Sequence, residues 1–132
     1  MGRLVREWMS KPAIFIDPEA SVAHAMTLMR RRGIHSLVVS LDERSYGILT
    51  TTDIRDKIVA AERNPRQTRV KDIMSTPVLT ANPEWDLHEC SLRMQKANIH
   101  HLPVVNEKHD VIGLISATDI FAAVEEIGWE GQ

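Results

Sequence analysis

An internal repeat runs the length of this chain. Val5-Arg6-Glu7-Trp8-Met9-Ser10-Lys11-Pro12 returns as Val70-Lys71-Asp72-Ile73-Met74-Ser75-Thr76-Pro77, 65 residues further on. Pro18 and Pro83, Met29 and Met94, and Ile34-His35 and Ile99-His100 keep that offset. One extra residue in the later loop shifts Gly47 and Gly113, then Thr52-Asp53-Ile54 and Thr118-Asp119-Ile120, to an offset of 66. Half of a 132-residue chain is too short to bury a comfortable core alone. The copies are therefore expected to complete each other, with the seam between them as the natural cleft. Polar residues at matching places mark two related sites.

Each copy reads in the same order. A short amphipathic lead-in (Val5, Trp8 and Met9; Val70, Ile73 and Met74) is stopped by a proline, which cannot continue a helix interior. A strand comes next, over Ala13-Ile14-Phe15-Ile16 and over Val78-Leu79-Thr80. Ser21 is placed to N-cap a helix over 22–32, and Asp86 with Glu89 forms a capping-box-like pair for a helix over 87–97. Trp85 before that cap and Cys90 at the fourth helical position suit a hydrophobic staple. Val22, Ala25, Met26 and Met29 recur at helical spacing, as do Leu87, Cys90, Ser91 and Met94, which marks core-facing stripes. Gly33 and Asn98 stand where a helix end wants a left-handed residue. Leu37-Val38-Val39 with Tyr46-Gly47-Ile48-Leu49, and Leu102-Pro103-Val104-Val105 with Val111 to Ile115, have hairpin spacing. A last helix begins near Asp53 or Asp119. Each copy is thus β-α-β-β-α, an α+β arrangement over 3–62 and 70–127 with 63–69 as linker.

Composition narrows the function. A net charge of −2 gives no general pull towards nucleic acid or anionic membranes. Arg30-Arg31-Arg32 and the basic residues from Arg63 to Lys71 read as a solvated helix end and a polar linker. A single cysteine excludes an intrachain disulfide and suits a reducing compartment, and no apolar run approaches the length of a membrane span. A cytoplasmic protein is expected. No P-loop, no glycine-rich dinucleotide fingerprint and no nucleophile with an evident base appear, so an enzyme is not expected. Adjacent His100 and His101 would point to opposite faces of a strand, and their spacing matches no structural zinc signature.

The chemistry concentrates where the second hairpin strand ends. Gly47-Ile48-Leu49-Thr50-Thr51-Thr52-Asp53 and Gly113-Leu114-Ile115-Ser116-Ala117-Thr118-Asp119 each carry a hydroxyl residue at a helix start and an acid three residues on. Helix-start N–H groups take phosphate readily, and an ionised Asp accepts hydrogen bonds from adjacent sugar hydroxyls. The same phrase is also a routine capping arrangement. Repetition does not separate the two readings, because an inherited cap would repeat too.

Further motifs supply the context. Met74-Ser75-x-Pro77-Val78, Ile99-His100-His101-Leu102-Pro103-Val104-Val105 and Gly113-Leu-Ile-Ser116-x-x-Asp119 together resemble a cystathionine-β-synthase (CBS) domain. Met9-Ser10-x-Pro12, Ile34-His35-Ser36-Leu37-Val38-Val39 and Gly47-x-x-Thr50-x-x-Asp53 resemble a second, so the chain is similar to a tandem CBS pair, or Bateman module, over about residues 3–127. The resemblance implies two repeats related by pseudo-two-fold symmetry, with sheets packed together and helices outside. It implies a regulatory module binding AMP, ADP, ATP or S-adenosylmethionine in clefts between the repeats, with no required cofactor. Asp53 and Asp119 would then hold ribose hydroxyls, with Thr50 and Ser116 near ribose and phosphate. His35-Ser36 and His100-His101 would face phosphate, and Ile14, Leu79 and Thr80 would line the adenine slot.

The copies differ at two such places: Ser36 matches His101, and Val38 matches Pro103. Where the family often has a permanently charged Arg, His101 titrates, so phosphate affinity is expected to vary with pH, and the half with His100 and His101 to bind phosphate better. The resemblance also implies a homodimer and a regulated partner protein; apart from it, Trp8 and Trp129 near the termini are expected to serve dimer packing. The alternative is a dimerisation scaffold that binds no small molecule.

Overall fold

The computed structural model describes residues 2–42, 45–76 and 79–129. The chain forms two compact units, one of residues 14–78 and one that joins residues 1–13 to residues 79–132. Contiguous in sequence, the two copies are thus exchanged in space: each unit holds the lead-in of the other copy.

In the 14–78 unit, β1 (Phe15–Ile16) lies parallel to β2 (Ser36–Ser40), with Phe15 opposite Val38. β2 runs antiparallel to β3 (Tyr46–Thr50), from Ser36 opposite Thr50 to Ser40 opposite Tyr46. Helix α2 (Val22–Arg32) buries Val22, Ala25 and Met29 against Leu37, Val39 and Leu49. The expected cap is present: Ser21 Oγ accepts from the His24 N–H at 3.1 Å, and Gly33 ends the helix at φ 64°. The segment read as a linker also finishes this helix. The N–H groups of Val22 and Ala23 donate to the carbonyls of Thr68 and Pro65, and Thr68 is buried. Those helix-start donors have no partner inside the helix, so the segment is held as part of the fold.

The other unit contains α1 (Val5–Trp8), α5 (Leu87–Ala97), the antiparallel pair β4 (His101–Val105) and β5 (Val111–Ser116), and α6 (Ala117–Ile127). Its core gathers Val5, Leu87, Cys90, Leu102, Val104, Ile115 and Ala123, each fully buried. Among the described residues the strand expected at Val78-Leu79-Thr80 is not found. Leu79 and Thr80 belong to no strand, Val78 lies outside the described residues, and a single parallel bridge joins Ala81 to Val104. Position 103 supplies the reason. In the first copy the Val38 N–H donates to the Ile14 carbonyl at 2.9 Å. The matching residue is Pro103, which has no N–H to give to Leu79.

The Asp86–Glu89 box is also absent. Asp86 Oδ1 caps the helix by accepting from the His88 N–H at 2.7 Å, and Glu89 is drawn instead to Arg93, 2.8 Å away and one turn on. Asn98 ends α5 in the left-handed conformation, as expected. Trp85 packs on the core cluster that contains Cys90, with the Arg93 guanidinium 4.4 Å from its ring centre. Trp8 donates from Nε1 to the Gly2 carbonyl, and Trp129 lies 3.4 Å under the Arg3 guanidinium, so both find partners within their own chain.

The exchange rests on matching contacts. In the 14–78 unit, α4 (Val70–Ile73) docks through Val70 N–H to the Ala20 carbonyl and Lys71 N–H to the Pro18 carbonyl. In the other unit, Val5 N–H donates to the Trp85 carbonyl and Arg6 N–H to the Pro83 carbonyl. The repeated glycines make room for the end of each lead-in. A Cβ at Gly113 would stand 2.7 Å from the Ser10 carbonyl oxygen, and one at Gly47 would stand 2.7 Å from Met74 Sδ.

Candidate functional site

The same clasp closes both units. α3 (Thr51–Ile54) starts at Thr50, and α6 starts at Ser116. In each case the hydroxyl accepts from the Asp N–H three residues on, while the Asp carboxylate accepts from the backbone N–H of the cap. These are full capping boxes. The capping reading of the motif is therefore correct, and it occupies Oδ2 of both Asp53 and Asp119.

The second oxygen of each carboxylate meets the exchanged lead-in. Ser75 Oγ donates to Asp53 Oδ1 at 3.2 Å, and Ser10 Oγ donates to Asp119 Oδ1 at 3.1 Å. Antiparallel bridges fix these serines in place, Ser75 to Ile48 and Ser10 to Leu114. The Ser of Met-Ser-x-Pro thus belongs to the site, although sequence reasoning assigned it no role. Its recurrence beside an equally recurrent Asp was the available signal.

The hairpins bring in the histidines. Ser36 is opposite Thr50 and His101 is opposite Ser116, while the carbonyls of His35 and His100 accept from the N–H groups of Thr51 and Ala117. His35 and His100 are exposed, His101 is half-buried, and Ser36 is buried. Ile14 runs beside this row in the 14–78 unit through its bond from Val38. A cavity of about 330 Å³ opens beside His100, lined also by Met94, Asn98, Ile99, Ala117 and Ile120. Thr80 does not reach it, and borders instead a cavity of about 790 Å³ with Trp85, Asn106 and His109. Leu79 is half-exposed and lines neither. Among the described residues no group of three His, Cys, Asp or Glu gathers to hold a metal ion.

The family model for the CBS domain matches residues 5–60 and again residues 70–126. The chain belongs to the CBS-domain family. It is 37% identical over 111 residues to an inosine-5'-monophosphate dehydrogenase of Korarchaeum cryptofilum, covering 84% of this chain and 22% of that protein. Across the first three curated relatives the chain spans from 22% to 60% of their length. Among solved structures, a hexameric CBS-CP12 protein from bloom-forming cyanobacteria superposes with a TM-score of 0.90 at 29% identity, over 98% of this chain and 75% of that one. The CBS domain pair of protein MJ0100, in complex with 5'-methylthioadenosine and S-adenosyl-L-methionine, gives a TM-score of 0.80 at 25% identity, over 92% and 95% of the two chains.

The two CBS repeats are not equivalent at their aspartates. A carboxylate offers about four acceptor positions. Asp53 receives Thr50 N–H, Thr50 Oγ1, Ser75 Oγ and, at 3.1 Å, the Lys57 ammonium. Its side chain is 8% exposed. Asp119 receives Ser116 N–H, Ser116 Oγ and Ser10 Oγ, and is half-buried. Lys57, to which the sequence motifs assign no role, stands one helical turn beyond Asp53 and reaches it.

Proposed function

We propose that this chain is a regulatory module that binds an adenosine-containing ligand, AMP, ADP, ATP or S-adenosylmethionine, and changes shape or association when it does. The observation that carries this reading is Asp119. It is half-buried, has an acceptor position to spare among the described residues, and stands at the start of α6 beside Ser116, His101 and His100. A sugar diol can fill that acceptor position, and a phosphate suits the helix start and the imidazoles. The MJ0100 pair, with its two adenosine ligands, supports the ligand class.

In this reading Asp119 takes ribose hydroxyls, and Ser116, His100 and His101 face phosphate. Asp53, Thr50, His35, Ser36 and Ile14 form the corresponding set in the other repeat. The module acts by binding, not by catalysis. A ligand that contacts one packing better than another shifts the population towards it, and a partner protein reads the shift.

A second reading, a dimerisation scaffold without a ligand, is favoured by α6. Phe121 is 66% exposed and Val124 is 38% exposed, three residues apart on one helix face. Thermal unfolding with each of the four ligands, on wild type and Asp119→Ala, separates the two. A sensor at a hundred times its dissociation constant gains about 2.7 kcal/mol, and loses that gain in the variant. No shift with any ligand, together with a dimer that Phe121→Glu splits in sedimentation, makes the chain a scaffold.

A further inference from the structure

Resting on the ligand reading above, we propose that Lys57 closes the Asp53 half, so that the chain takes one adenosine ligand and not two. After α3 the helix widens into a π-helix at Arg55–Val59, where the Ala60 N–H reaches back to the Arg55 carbonyl. Such wide turns are rare and are often found at functional sites. Lys57 sits in that turn, with Nζ 3.1 Å from Asp53 Oδ1 and 2.9 Å from the Ile73 carbonyl oxygen. The ammonium is therefore held at two points, one on the carboxylate and one on the exchanged lead-in. It fills the fourth acceptor position of Asp53, the position that a ribose hydroxyl needs.

The second copy lacks every part of this arrangement. α6 continues as an ordinary α-helix to Ile127, and the residue matching Lys57 is Ala123, which is fully buried and carries no charge. One substitution between repeats thus separates an occupied carboxylate from one with room.

A ligand entering the Asp53 half must displace a charged hydrogen-bond donor before it gains its own bond. Removing that donor is expected to raise affinity there by about tenfold, the scale of one charge-assisted hydrogen bond. The opposite role, in which Lys57 swings out to hold a phosphate, predicts a loss of affinity. The two are distinguishable by sign.

AMP is titrated calorimetrically into wild type, Lys57→Met, Asp119→Asn and the Lys57→Met/Asp119→Asn double variant. Lys57 is 43% exposed, so Met is accommodated without a buried void. At AMP concentrations that fill the Asp119 half but lie below the roughly tenfold higher dissociation constant of the gated half, the expected result is one AMP per chain in wild type, two in Lys57→Met and one in the double variant. Two AMP in wild type, one in Lys57→Met, or weaker AMP binding in the double variant than in Asp119→Asn overturns the gate and leaves the ligand reading standing. AMP bound by none of the four overturns the gate for AMP, and the ligand reading falls with it only when ADP, ATP and S-adenosylmethionine also fail to bind. A ligand-free arm tests the contact itself by acetic anhydride labelling and mass spectrometry. Lys57 is expected to react at least about fivefold more slowly than exposed Lys96, and Asp53→Asn to erase the difference. Equal rates in wild type overturn the gate whatever AMP does.

Discussion

Gly113→Ala tests the exchanged lead-in at its tightest point. The added Cβ would meet the Ser10 carbonyl oxygen at 2.7 Å and Met9 Sδ at 3.0 Å. A backbone oxygen cannot rotate aside as a side chain can. The Ser10 segment must therefore move, and it holds two backbone hydrogen bonds with Leu114, of 2.8 and 2.9 Å, and the bond from Ser10 Oγ to Asp119. Overpacking of this kind costs about 1–3 kcal/mol, and each backbone bond lost costs about 1 kcal/mol net. The expected loss is about 2–3 kcal/mol, which lowers Tm by roughly 6–15 °C in a chain of this size. Gly47→Ala is the control. Its Cβ would meet Met74 Sδ at 2.7 Å and Thr76 Cγ2 at 3.0 Å, both side-chain atoms. Methionine is flexible enough to yield, so the cost there should stay near 1 kcal/mol. Urea unfolding monitored by far-ultraviolet circular dichroism reads both units and makes the comparison, and tryptophan fluorescence reads the Gly113 unit by itself, because Trp8, Trp85 and Trp129 all lie within it. Gly113→Ala matching Gly47→Ala, or leaving the fluorescence midpoint unmoved, would refute the close-approach account.

The same contacts set three other outcomes. Asp53→Ala leaves Ser75, Lys57 and the Thr50 N–H without their acceptor and should cost about 2–3 kcal/mol in ligand-free protein. Asp119→Ala, at a more open site with three bonds, should cost about 1–2 kcal/mol, and the order of the two midpoints in urea is the check. Deleting residues 2–12 removes Val5 and Ser10 from their unit, so hydrogen exchange should show protection lost in β4 and β5 before β2 and β3; the reverse order would contradict the exchange. Burial pushes the Cys90 thiol up to about 11. The unfolded thiol ionises near pH 8.5, so its contribution to stability is complete below that pH and is lost as pH rises towards about 11. Cys90→Ala should flatten that decline, measured as urea midpoints from pH 8 to 11.

Much of this molecule was legible because short-range chemistry dictates it. Ser21 and Asp86 start α2 and α5, and Gly33 and Asn98 end them, each acting locally. The hairpins arise from apolar runs flanking short polar loops. What could not be read is the partner of each segment. Nothing local in Met-Ser-x-Pro says that Ser10 will meet Asp119, 109 residues away, instead of Asp53. The missing strand at Leu79 has the same character: its cause is the proline at 103, which acts only once the two segments are neighbours. Lys57 was overlooked for a different reason. It lies outside the repeated motif, and comparison of the copies for likeness passes over a position where they differ.

That difference is the more informative comparison. The repeat fixes what both halves need for folding: the glycine that admits the lead-in, the serine that tethers it, and the acid that closes a capping box and receives the serine. All of these would be retained whether or not a ligand binds, so their recurrence is evidence of a shared fold before it is evidence of a shared site. A carboxylate occupied by its own chain has little left to offer, and one with an acceptor position to spare has something to give. Lys57 against Ala123, and Ser36 against His101, separate the halves in the same direction: the Asp119 half is the more open and carries the additional imidazole. Function in a duplicated fold is therefore better sought where the copies disagree, because the demands of packing already account for where they agree.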